Sequence, residues 1–387
     1  MDIYHQILLQ YWGYAEFRPL QEEIIRSVCA GKDTLGLMPT GGGKSITFQV
    51  PTLTMDGICI VVTPLIALMK DQVDNLKRVG IKATAIHSGM SREEMIVQLE
   101  NCIFGDYKFL YVSPERLGTE LFQNKLRAMN VCLLAIDESH CISQWGYDFR
   151  PSYLKVADIR TLLPGVPVLA LTATATPEVV DDIQERLLFK EKNVFKKSFS
   201  RPNLAYIVRK TEDKLSELVH ILQRVPGTAI VYVRNRKMTA EIAAHLKSVG
   251  ISAEYFHAGL LPDEKIERQN RWKNGETRVI VSTNAFGMGI DKPDVRLVVH
   301  LNMPGSLEEY YQEAGRAGRD EKKAYAVYLC GPADVSTLKK RVSAEFPDKS
   351  FVYQVYERLG NYYQIAMGFG LNTVCLLYTS DAADEED

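Results

Sequence analysis

Two short segments of this 387-residue chain carry the residue types needed to bind a nucleoside triphosphate and hydrolyse it. The first segment is Met38-Pro-Thr-Gly-Gly-Gly-Lys-Ser45, which follows an apolar run. Its glycines allow backbone N–H groups to turn toward phosphate oxygens, and a helix that follows adds its positive end. Lys44 can then reach the β- and γ-phosphates, while the Ser45 hydroxyl can bind Mg²⁺. The predicted ATP-binding residues of this segment are Thr40, Gly41, Gly42, Gly43, Lys44 and Ser45.

The second segment is Asp137-Glu-Ser-His140, which directly follows six apolar residues. Asp137 is placed to hold Mg²⁺ through its hydration shell, and Glu138 to accept a proton from the attacking water. Acidic pairs also cap strands without any catalytic role. The apolar run before this pair and the Ser-His after it favour the catalytic interpretation.

Both segments must be positioned by strands, and the apolar runs of the chain predict where those strands lie. In the first half, short apolar runs that are typical of buried parallel strands cover residues 34–38, 58–62, 109–112, 131–136 and 168–171, and helical patterns such as residues 91–102 lie between them. In the second half, further runs cover residues 229–233, 253–256, 278–282, 297–301 and 325–329. This alternation predicts an α/β fold with two doubly wound parallel-sheet domains and a cleft between them.

The predicted boundaries place the first domain at residues 1–200 and the second at residues 201–335, with the start of a helical accessory domain at 336–374. Residues 375–387 look unrelated to what precedes them and are similar to translated sequencing-adapter DNA. We therefore expect a non-native tail that follows a truncated gene.

Composition limits the class of protein. The 46% hydrophobic and 24% charged content is that of an ordinary soluble chain, and no apolar run approaches the roughly 20 residues of a membrane span. The seven cysteines are scattered singly without a CxxC pair, so we expect no zinc site and a reducing, cytoplasmic location. A net charge of −2 argues against nonspecific coating of nucleic acid and favours a local groove. We expect a monomer.

The two chemical segments resemble those of superfamily 2 helicases, and other motifs are similar to those of the RecQ family of DNA helicases. The general P-loop pattern has glycine where this chain has Met38, but Pro-Thr-Gly is typical of helicase-like P-loops. Phe17-Arg-Pro-Leu-Gln-Glu-Glu-Ile-Ile25 resembles the adenine-recognition motif of the family. The resemblance implies RecA-like domains, with Tyr14 stacked on the base, Gln21 bonded to its edge and Arg18 supporting the site.

The segment from His140 to Tyr153 resembles the aromatic-rich loop that follows the acidic pair in this family. By that resemblance Trp145 and Phe149 offer flat faces to unstacked bases, and Arg150 offers a cation for phosphate or stacking. An aromatic cluster packed into the core is the alternative, although the interleaved polar residues do not favour it. Residues 171–176 resemble the coupling motif at the cleft.

In the second domain, Tyr311-Gln-Glu-Ala-Gly-Arg-Ala-Gly-Arg319 places two arginines three residues apart, which are neighbours if the segment is helical. The resemblance implies that Gln312 lies near the phosphates and that Arg316 and Arg319 act across the cleft as arginine fingers. It also implies that Asp291 contacts the ribose region or the coupling network.

The remaining implied contacts are with DNA, because the resembled family unwinds duplex DNA by moving 3′ to 5′ along a single strand. Short strand-end loops in both domains match the order of the family's motifs, and the resemblance covers about residues 9–335. The implied DNA-binding residues are Thr63, Arg116, Arg234, Asn235, His257 and Thr283. The implied partner is single-stranded or partly duplex DNA, and the implied role is repair and recombination.

Two other functions stay open at this point. An RNA-dependent ATPase of the wider superfamily is disfavoured by the Asp-Glu-Ser-His sequence and by the loop that holds Trp145. A nucleic-acid clamp with an inactive core is disfavoured because Lys44, Asp137, Glu138 and the two arginines are all present. The sequence does not predict the protein partners, the preferred DNA structure or the processivity.

Overall fold

The structure of the protein, a computed structural model, describes residues 2–39, 41–146, 148–196, 198, 200–286 and 292–369. The chain divides into two compact units, one that ends at Leu329 and one that begins at Cys330. Within the described residues, the first unit holds a seven-stranded and a six-stranded β-sheet with helices on their faces. The α/β fold class predicted from the sequence is confirmed.

The first sheet and its helices account for residues up to Lys196. In chain order the elements are α1 Ile3–Trp12, α2 Gln21–Cys29, β1 Thr34–Leu37, α3 Ile46–Thr54, β2 Ile58–Val62, α4 Ile66–Arg78, β3 Ala83–Ile86, α5 Arg92–Phe104, β4 Phe109–Val112, α6 Pro114–Leu117, α7 Glu120–Leu126, β5 Val131–Ile136, α8 Lys155–Leu162, β6 Val168–Thr172, α9 Pro177–Arg186 and β7 Val194–Lys196. The strand order is β3-β4-β2-β5-β6-β1-β7, and every pairing is parallel.

The second sheet follows. Its elements are β8 Leu204–Lys210, α10 Lys214–Arg224, β9 Thr228–Tyr232, α11 Arg236–Ser248, β10 Ala253–Phe256, α12 Pro262–Lys273, β11 Val279–Ser282, β12 Val295–His300, α13 Leu307–Ala314 and β13 Ala324–Cys330. The strand order is β10-β11-β9-β12-β13-β8, with parallel pairing from β10 through β13. The domain boundary predicted at residue 200 lies between β7 and β8, and the boundaries stay predictions.

The apolar runs form strands because both faces of each sheet are buried. In β2, Ile58, Ile60 and Val62 belong to the apolar cluster on one face of the first sheet. The alternate residues Cys59 and Val61 belong to the cluster on the other face. A strand covered on both sides loses the apolar–polar alternation and appears as a continuous apolar run. The second sheet repeats this arrangement, with separate clusters on its two faces.

The order of the strands brings the chemical segments together. Strands β5, β6 and β1 are neighbours in the first sheet, and their carboxyl ends lie at one edge because they are parallel. The segment beginning at Met38 follows β1, Asp137 follows β5, and Thr172 ends β6. Three segments separated along the sequence therefore meet at one edge of the sheet.

The strand β1 that carries the first segment is anchored at its other end by a buried ion pair. Asp33 accepts hydrogen bonds from Nη2 of Arg160 at 2.9 and 3.0 Å, from the Val168 N–H at 3.0 Å and from the Lys190 N–H at 3.2 Å. Both charged side chains are less than 10% exposed. Asp33 thereby ties the start of β1 to α8, to β6 and to the segment after α9.

We expect Asp33→Ala to destabilise the protein by about 3–5 kcal/mol, because it leaves the Arg160 guanidinium buried without its counter-ion. Urea unfolding followed by circular dichroism would measure the change in the free energy of unfolding. The matched control is Asp181→Ala, which removes an exposed ion pair with Lys192 and should cost less than about 1 kcal/mol. Equal effects of the two substitutions would contradict the anchoring role of Asp33.

The second unit contains α14 Asp334–Glu345 and α15 Lys349–Phe369 among the described residues. The helical character predicted for residues 336–374 is confirmed over the described part of that range. The predicted non-native tail, residues 375–387, lies outside the described residues. None of the described helices combines the length and apolar character needed to cross a bilayer.

Candidate active site

The loop after β1 has the backbone geometry of a phosphate cradle. Gly41 and Gly43 have φ angles of +76° and +74°, in the left-handed region that glycine adopts without strain. Ser45 precedes the first residue of α3, and its hydroxyl makes no capping hydrogen bond to the described backbone of that helix. The first N–H groups of α3 bond back to the loop, from Ile46 to the Gly43 carbonyl at 3.2 Å and from Thr47 to the Lys44 carbonyl at 3.0 Å. Thr40, also predicted to bind ATP, lies outside the described residues.

The side chains of Arg18 and Gln21 form hydrogen bonds with the backbone of this loop. Arg18 Nη1 donates to the Gly41 carbonyl at 2.5 Å, and Gln21 Nε2 donates to the Gly43 carbonyl at 2.9 Å. Gln21 Oε1 accepts from the Arg18 backbone N–H at 2.8 Å. The amide predicted to bond the base edge therefore contacts the loop backbone here, and links the segment before α2 to the phosphate cradle.

A cavity of about 700 Å³ opens beside this loop. The ring of Tyr14, 57% exposed, lies at its wall together with Arg18 and Gln21. Ser45 lines the same cavity, and Arg319 from the second sheet contributes to its wall. A planar ring next to a guanidinium and a primary amide can bind a nucleobase while the adjoining loop binds phosphate.

The acidic pair lies opposite the cradle. Lys44 Nζ is 3.7 Å from Glu138 Oε1, and both side chains are largely buried. The Glu138 N–H donates to Asp137 Oδ1 at 3.0 Å, and Tyr153 OH donates to the Asp137 carbonyl at 2.9 Å. Glu138 has a φ of +49°, which is uncommon for a residue other than glycine and indicates that the fold holds its side chain in a set direction.

Burial and neighbouring charges shift the pKa values of the two carboxyl groups in opposite directions. Burial raises the pKa of Asp137 to about 6, because the Lys44 charge opposes this effect only in part and the neighbouring Glu138 adds to it. Burial also pushes the pKa of Glu138 upward, but its positive neighbours, Lys44 above all, outweigh burial and lower that pKa below its ordinary value. Glu138 is therefore the group held as a carboxylate, the form that accepts a proton.

His140 is a residue whose contacts the sequence alone did not assign. Its Nδ1 lies 2.9 Å from Thr172 Oγ1 at the end of β6 and 3.5 Å from Glu138 Oε2, and the side chain is fully buried. Thr172 Oγ1 donates in turn to the Thr174 carbonyl at 3.1 Å. The acidic pair is thus connected to the Thr172–Thr174 segment, predicted to couple the two domains, through one imidazole.

The second sheet contributes two arginines to the same site. Helix α13 ends at Ala314, with Gly315 as its cap, so Arg316 and Arg319 lie in the turns that follow rather than on the helix face considered from the sequence. Arg316 is 4% exposed, and its charge is close enough to be one of those that lower the pKa of Glu138. Its Nε is buried without a hydrogen-bond partner among the described residues.

The other arginine packs directly on the phosphate cradle. A Cβ atom added at Gly41 would lie 2.8 Å from Cγ of Arg319, so only glycine leaves room for this side chain. Gln312 on α13 is buried. A second contact across the cleft joins Lys273 Nζ of α12 to Asp71 Oδ2 of α4 at 2.7 Å. The structure therefore brings together Lys44, Glu138 and the two arginines.

The residues predicted to bind DNA follow strand ends in both sheets. Thr63 follows β2, Asn235 caps α11 after β9, His257 follows β10 and Thr283 follows β11. These positions share the carboxyl edge of their sheets. Thr63 and Thr283 are buried at this edge, whereas Asn235 is exposed and His257 is half-buried.

Two arginines predicted to bind DNA already have protein partners. Arg116 donates to the carbonyls of His87 and Ser88 at 3.3 and 3.1 Å. Nη1 of the exposed Arg234 donates to the Met303 carbonyl at 3.5 Å, and its backbone N–H donates to Asn302 Oδ1 at 3.2 Å. Asp291, the predicted ribose contact, lies outside the described residues.

The aromatic-rich loop splits into an exposed and a half-buried part. Trp145 is 77% exposed, which excludes packing of this ring into the core. Phe149 and Arg150 are half-buried, and Arg150 Nη2 donates to Asp148 Oδ2 at 2.9 Å. This loop directly follows the segment that holds Glu138 and His140.

The oxygen ligands at the cradle fit Mg²⁺. Hard divalent cations prefer carboxylate, hydroxyl and phosphate oxygens, and Ser45 and Asp137 supply the first two from the segments that follow β1 and β5. Burial raises the pKa of Asp137, and the charge of Lys44 does not offset this effect. A further cation beside Asp137 would stabilise its carboxylate form. Among the described residues, grouped side chains that could hold another metal are His140 with Cys141 and Asp148, and Asp2 with His5 and Glu22.

Comparison with known sequences agrees with this geometry. The DEAD/DEAH box helicase profile matches residues 18–183, and the helicase conserved C-terminal domain profile matches residues 212–321. The chain is 41% identical over 345 residues to the probable ATP-dependent DNA helicase RecS of Bacillus subtilis, covering 88% of this chain and 69% of that protein. It is 46% identical over 334 residues to the ATP-dependent DNA helicase RecQ of the same organism, covering 85% and 56%.

Solved structures show the same fold at low sequence identity. Saccharomyces cerevisiae Dbp5 bound to RNA and ADP BeF3 has a TM-score of 0.70 at 18% identity, over 90% of this chain and 92% of that one. Mycobacterium smegmatis helicase Lhr bound to ssDNA and AMP-PNP has a TM-score of 0.67 at 18% identity, over 82% and 46%. Both matches span both parallel sheets, which identifies the first unit as a pair of RecA-like domains.

Proposed function

Because the chain belongs to the RecQ family of superfamily 2 helicases, we propose that it hydrolyses ATP to move along single-stranded DNA and to separate the strands of a duplex. The chain spans 69% of the length of the RecS relative and 53–58% of the next three relatives. The activity proposed here is therefore that of the two RecA-like domains.

The observation that carries the proposal is the meeting of two sets of charged groups across the cleft. Lys44, Asp137 and Glu138 come from the first sheet, and Arg316 and Arg319 come from the second. A phosphoryl group held between them would have cations on both sides, which is the electrostatic requirement of phosphoryl transfer. A single domain offers only half of this arrangement.

Each group has a role that its chemistry supports. Glu138, held as a carboxylate, accepts the proton of the attacking water, and Lys44 balances charge on the outer phosphates. Arg316 and Arg319 neutralise the charge that develops on the transferred group. Ser45 and Asp137 would hold Mg²⁺, which when bound supplies a Lewis acid for the phosphate oxygens.

The same arrangement links hydrolysis to movement. The arginines and the phosphate cradle belong to different domains, so a triphosphate favours the closed cleft and its hydrolysis removes the bridge. If both domains bind one DNA strand through its phosphates, opening and closing of the cleft moves the domains along that strand. Contacts with the backbone are independent of base sequence. We propose the 3′ to 5′ direction and the repair and recombination role of the family.

The test is steady-state ATP hydrolysis with and without single-stranded DNA. We expect DNA to stimulate hydrolysis strongly, and Lys44→Ala to lower the stimulated rate by about 10²-fold, because the loss of one phosphate-binding cation costs a few kcal/mol of transition-state stabilisation. Exposed Lys32→Ala on the same domain is the matched control and should retain the wild-type rate. Equal rates for the two variants would contradict the assigned site.

The same assay separates the alternative functions. Stimulation by RNA rather than DNA would indicate an RNA-dependent ATPase, and binding of DNA without hydrolysis would indicate a clamp. Strand displacement on duplexes with a 3′ or a 5′ single-stranded tail would test the direction.

We also propose a monomer in the cytoplasm. Sedimentation at several concentrations would test the oligomeric state, and the location of a tagged protein in cells would test the compartment.

A further inference from the structure

The connection between the two sheets carries an arginine with an unusual set of partners. Arg201 lies between β7 and β8, and its guanidinium donates to three backbone carbonyl groups. Nη1 donates to Gly315 at 3.0 Å, and Nη2 donates to Ala317 at 2.9 Å and to Gly318 at 2.7 Å. Nearby, Asn203 Nδ2 donates to the same Gly318 carbonyl at 2.8 Å and to the Lys322 carbonyl at 3.0 Å.

These carbonyls belong to the turns that hold the two arginines of the active site. Gly315 and Ala317 flank Arg316, and Gly318 precedes Arg319. The turns follow the end of α13, where carbonyl groups have lost their helical partners, and Gly318 has a φ of +64°. The N–H groups of this segment already form backbone bonds, from Arg316 to Glu313 at 3.2 Å, from Ala317 to Ala314 at 3.1 Å and from Gly318 to Val295 at 2.9 Å. The contribution of Arg201 is to the carbonyl groups of the same segment. The planar guanidinium fixes it from outside, because its donors lie in a rigid fork that can serve several carbonyls at once.

We propose that Arg201 is a positioning residue for hydrolysis: it orders the turns that present Arg316 and Arg319, and ties them to the connection between the domains. The consequence for catalysis rests on the proposed function, whereas the ordering of the turns does not. Because Arg201 belongs to the connecting segment, a movement of the domains that rearranges this segment also acts on the turns that hold the arginines.

The first test compares kcat and KM for ATP between Arg201→Ala and a matched control. Arg278 in the same domain also donates to three backbone carbonyls, those of Leu222, Val225 and Gly227, but at the amino edge of the sheet. We expect Arg201→Ala to lower kcat at least about tenfold with KM within about twofold, since a misplaced arginine finger weakens only the transition state. Arg278→Ala should keep kcat within about twofold. Similar kcat values for the two variants would overturn the proposal.

A conservative substitution adds a second criterion. Lysine carries the same charge but only one nitrogen, and it cannot serve three carbonyls in the geometry of the fork. Arg201→Lys should therefore resemble Arg201→Ala in kcat. Full activity of Arg201→Lys would mean that charge near the turns matters rather than the ordering of their backbone, and would also overturn the proposal.

Hydrogen exchange tests the ordering without requiring activity. Peptides covering residues 314–319 should exchange about tenfold faster in Arg201→Ala than in wild type, and at the wild-type rate in Arg278→Ala. Unchanged exchange in Arg201→Ala would show that the turns do not depend on this residue. If the wild-type chain does not hydrolyse ATP, the proposed function fails, and the exchange comparison still decides the role of Arg201.

Discussion

Arg316→Ala is expected to lower kcat for DNA-stimulated ATP hydrolysis by about 10³-fold, the lower end of what an arginine finger supplies in related hydrolases. The side chain is 4% exposed and lies near Glu138, and its Nε has no hydrogen-bond partner among the described residues. The guanidinium also contacts the Tyr232 hydroxyl, so Nε is the donor that remains for an anion entering the site. Its effect should therefore fall on hydrolysis rather than on folding.

Single-turnover hydrolysis and nucleotide binding, measured on the same protein, would check this result. Binding of a fluorescent ATP analogue should change less than about tenfold, because Lys44 and the cradle remain. The matched control is Arg224→Ala at the exposed end of α10, which should match wild type in both measurements. A loss of binding equal to the loss of kcat would contradict a role confined to the transition state.

Glu138→Gln is expected to lower kcat by about 10³-fold, within the range that a general base contributes. Glutamine has nearly the same size and keeps a hydrogen-bonding oxygen, but it cannot take up a proton. The surrounding positive charges of Lys44 and Arg316 hold the wild-type group as a carboxylate, which is the form the reaction needs. The substitution removes that function and leaves the shape of the site.

Rapid-quench measurement of a single turnover would detect the loss, and DNA binding in the presence of ATP should persist because the cleft can still close. Glu185→Gln, at an exposed position of α9, is the matched control and should hydrolyse ATP at the wild-type rate. Retention of more than a tenth of the wild-type kcat in Glu138→Gln would assign the base to another residue.

The central strands of both sheets and the edge strand β10 were predictable, whereas the edge strands β3, β7 and β8 were not. Residues 58–62 and 131–136 are continuous apolar runs because helices cover both faces of these strands, and a short run of that kind between helical patterns is typical of a buried strand. By contrast, β7 (Val194–Lys196) is a short strand with exposed ends, and β3 (Ala83–Ile86) is mostly small residues. Neither has the apolar content that distinguishes a strand from a loop in the sequence.

The sequence predicted those residues of the nucleotide site whose chemistry requires a particular side chain at a fixed spacing. Lys44 and Glu138 fall in this class. His140 and Arg201 do not, since their partners lie on strands and turns that are distant in sequence, and some of those partners are backbone carbonyls with no side-chain signature. Their roles emerge only when the strand order is known.

The place of β1 in the first sheet has a consequence for the order in which the protein can be completed during translation. Its two neighbours, β6 and β7, are encoded about 130 residues or more downstream, whereas β2 and β5 do not pair with it. When the loop at Met38 leaves the ribosome, its strand has no partner, and it gains one only after β6 emerges. The phosphate cradle therefore joins its sheet only after most of the first domain has been synthesised, because β1 pairs with no strand encoded before β6.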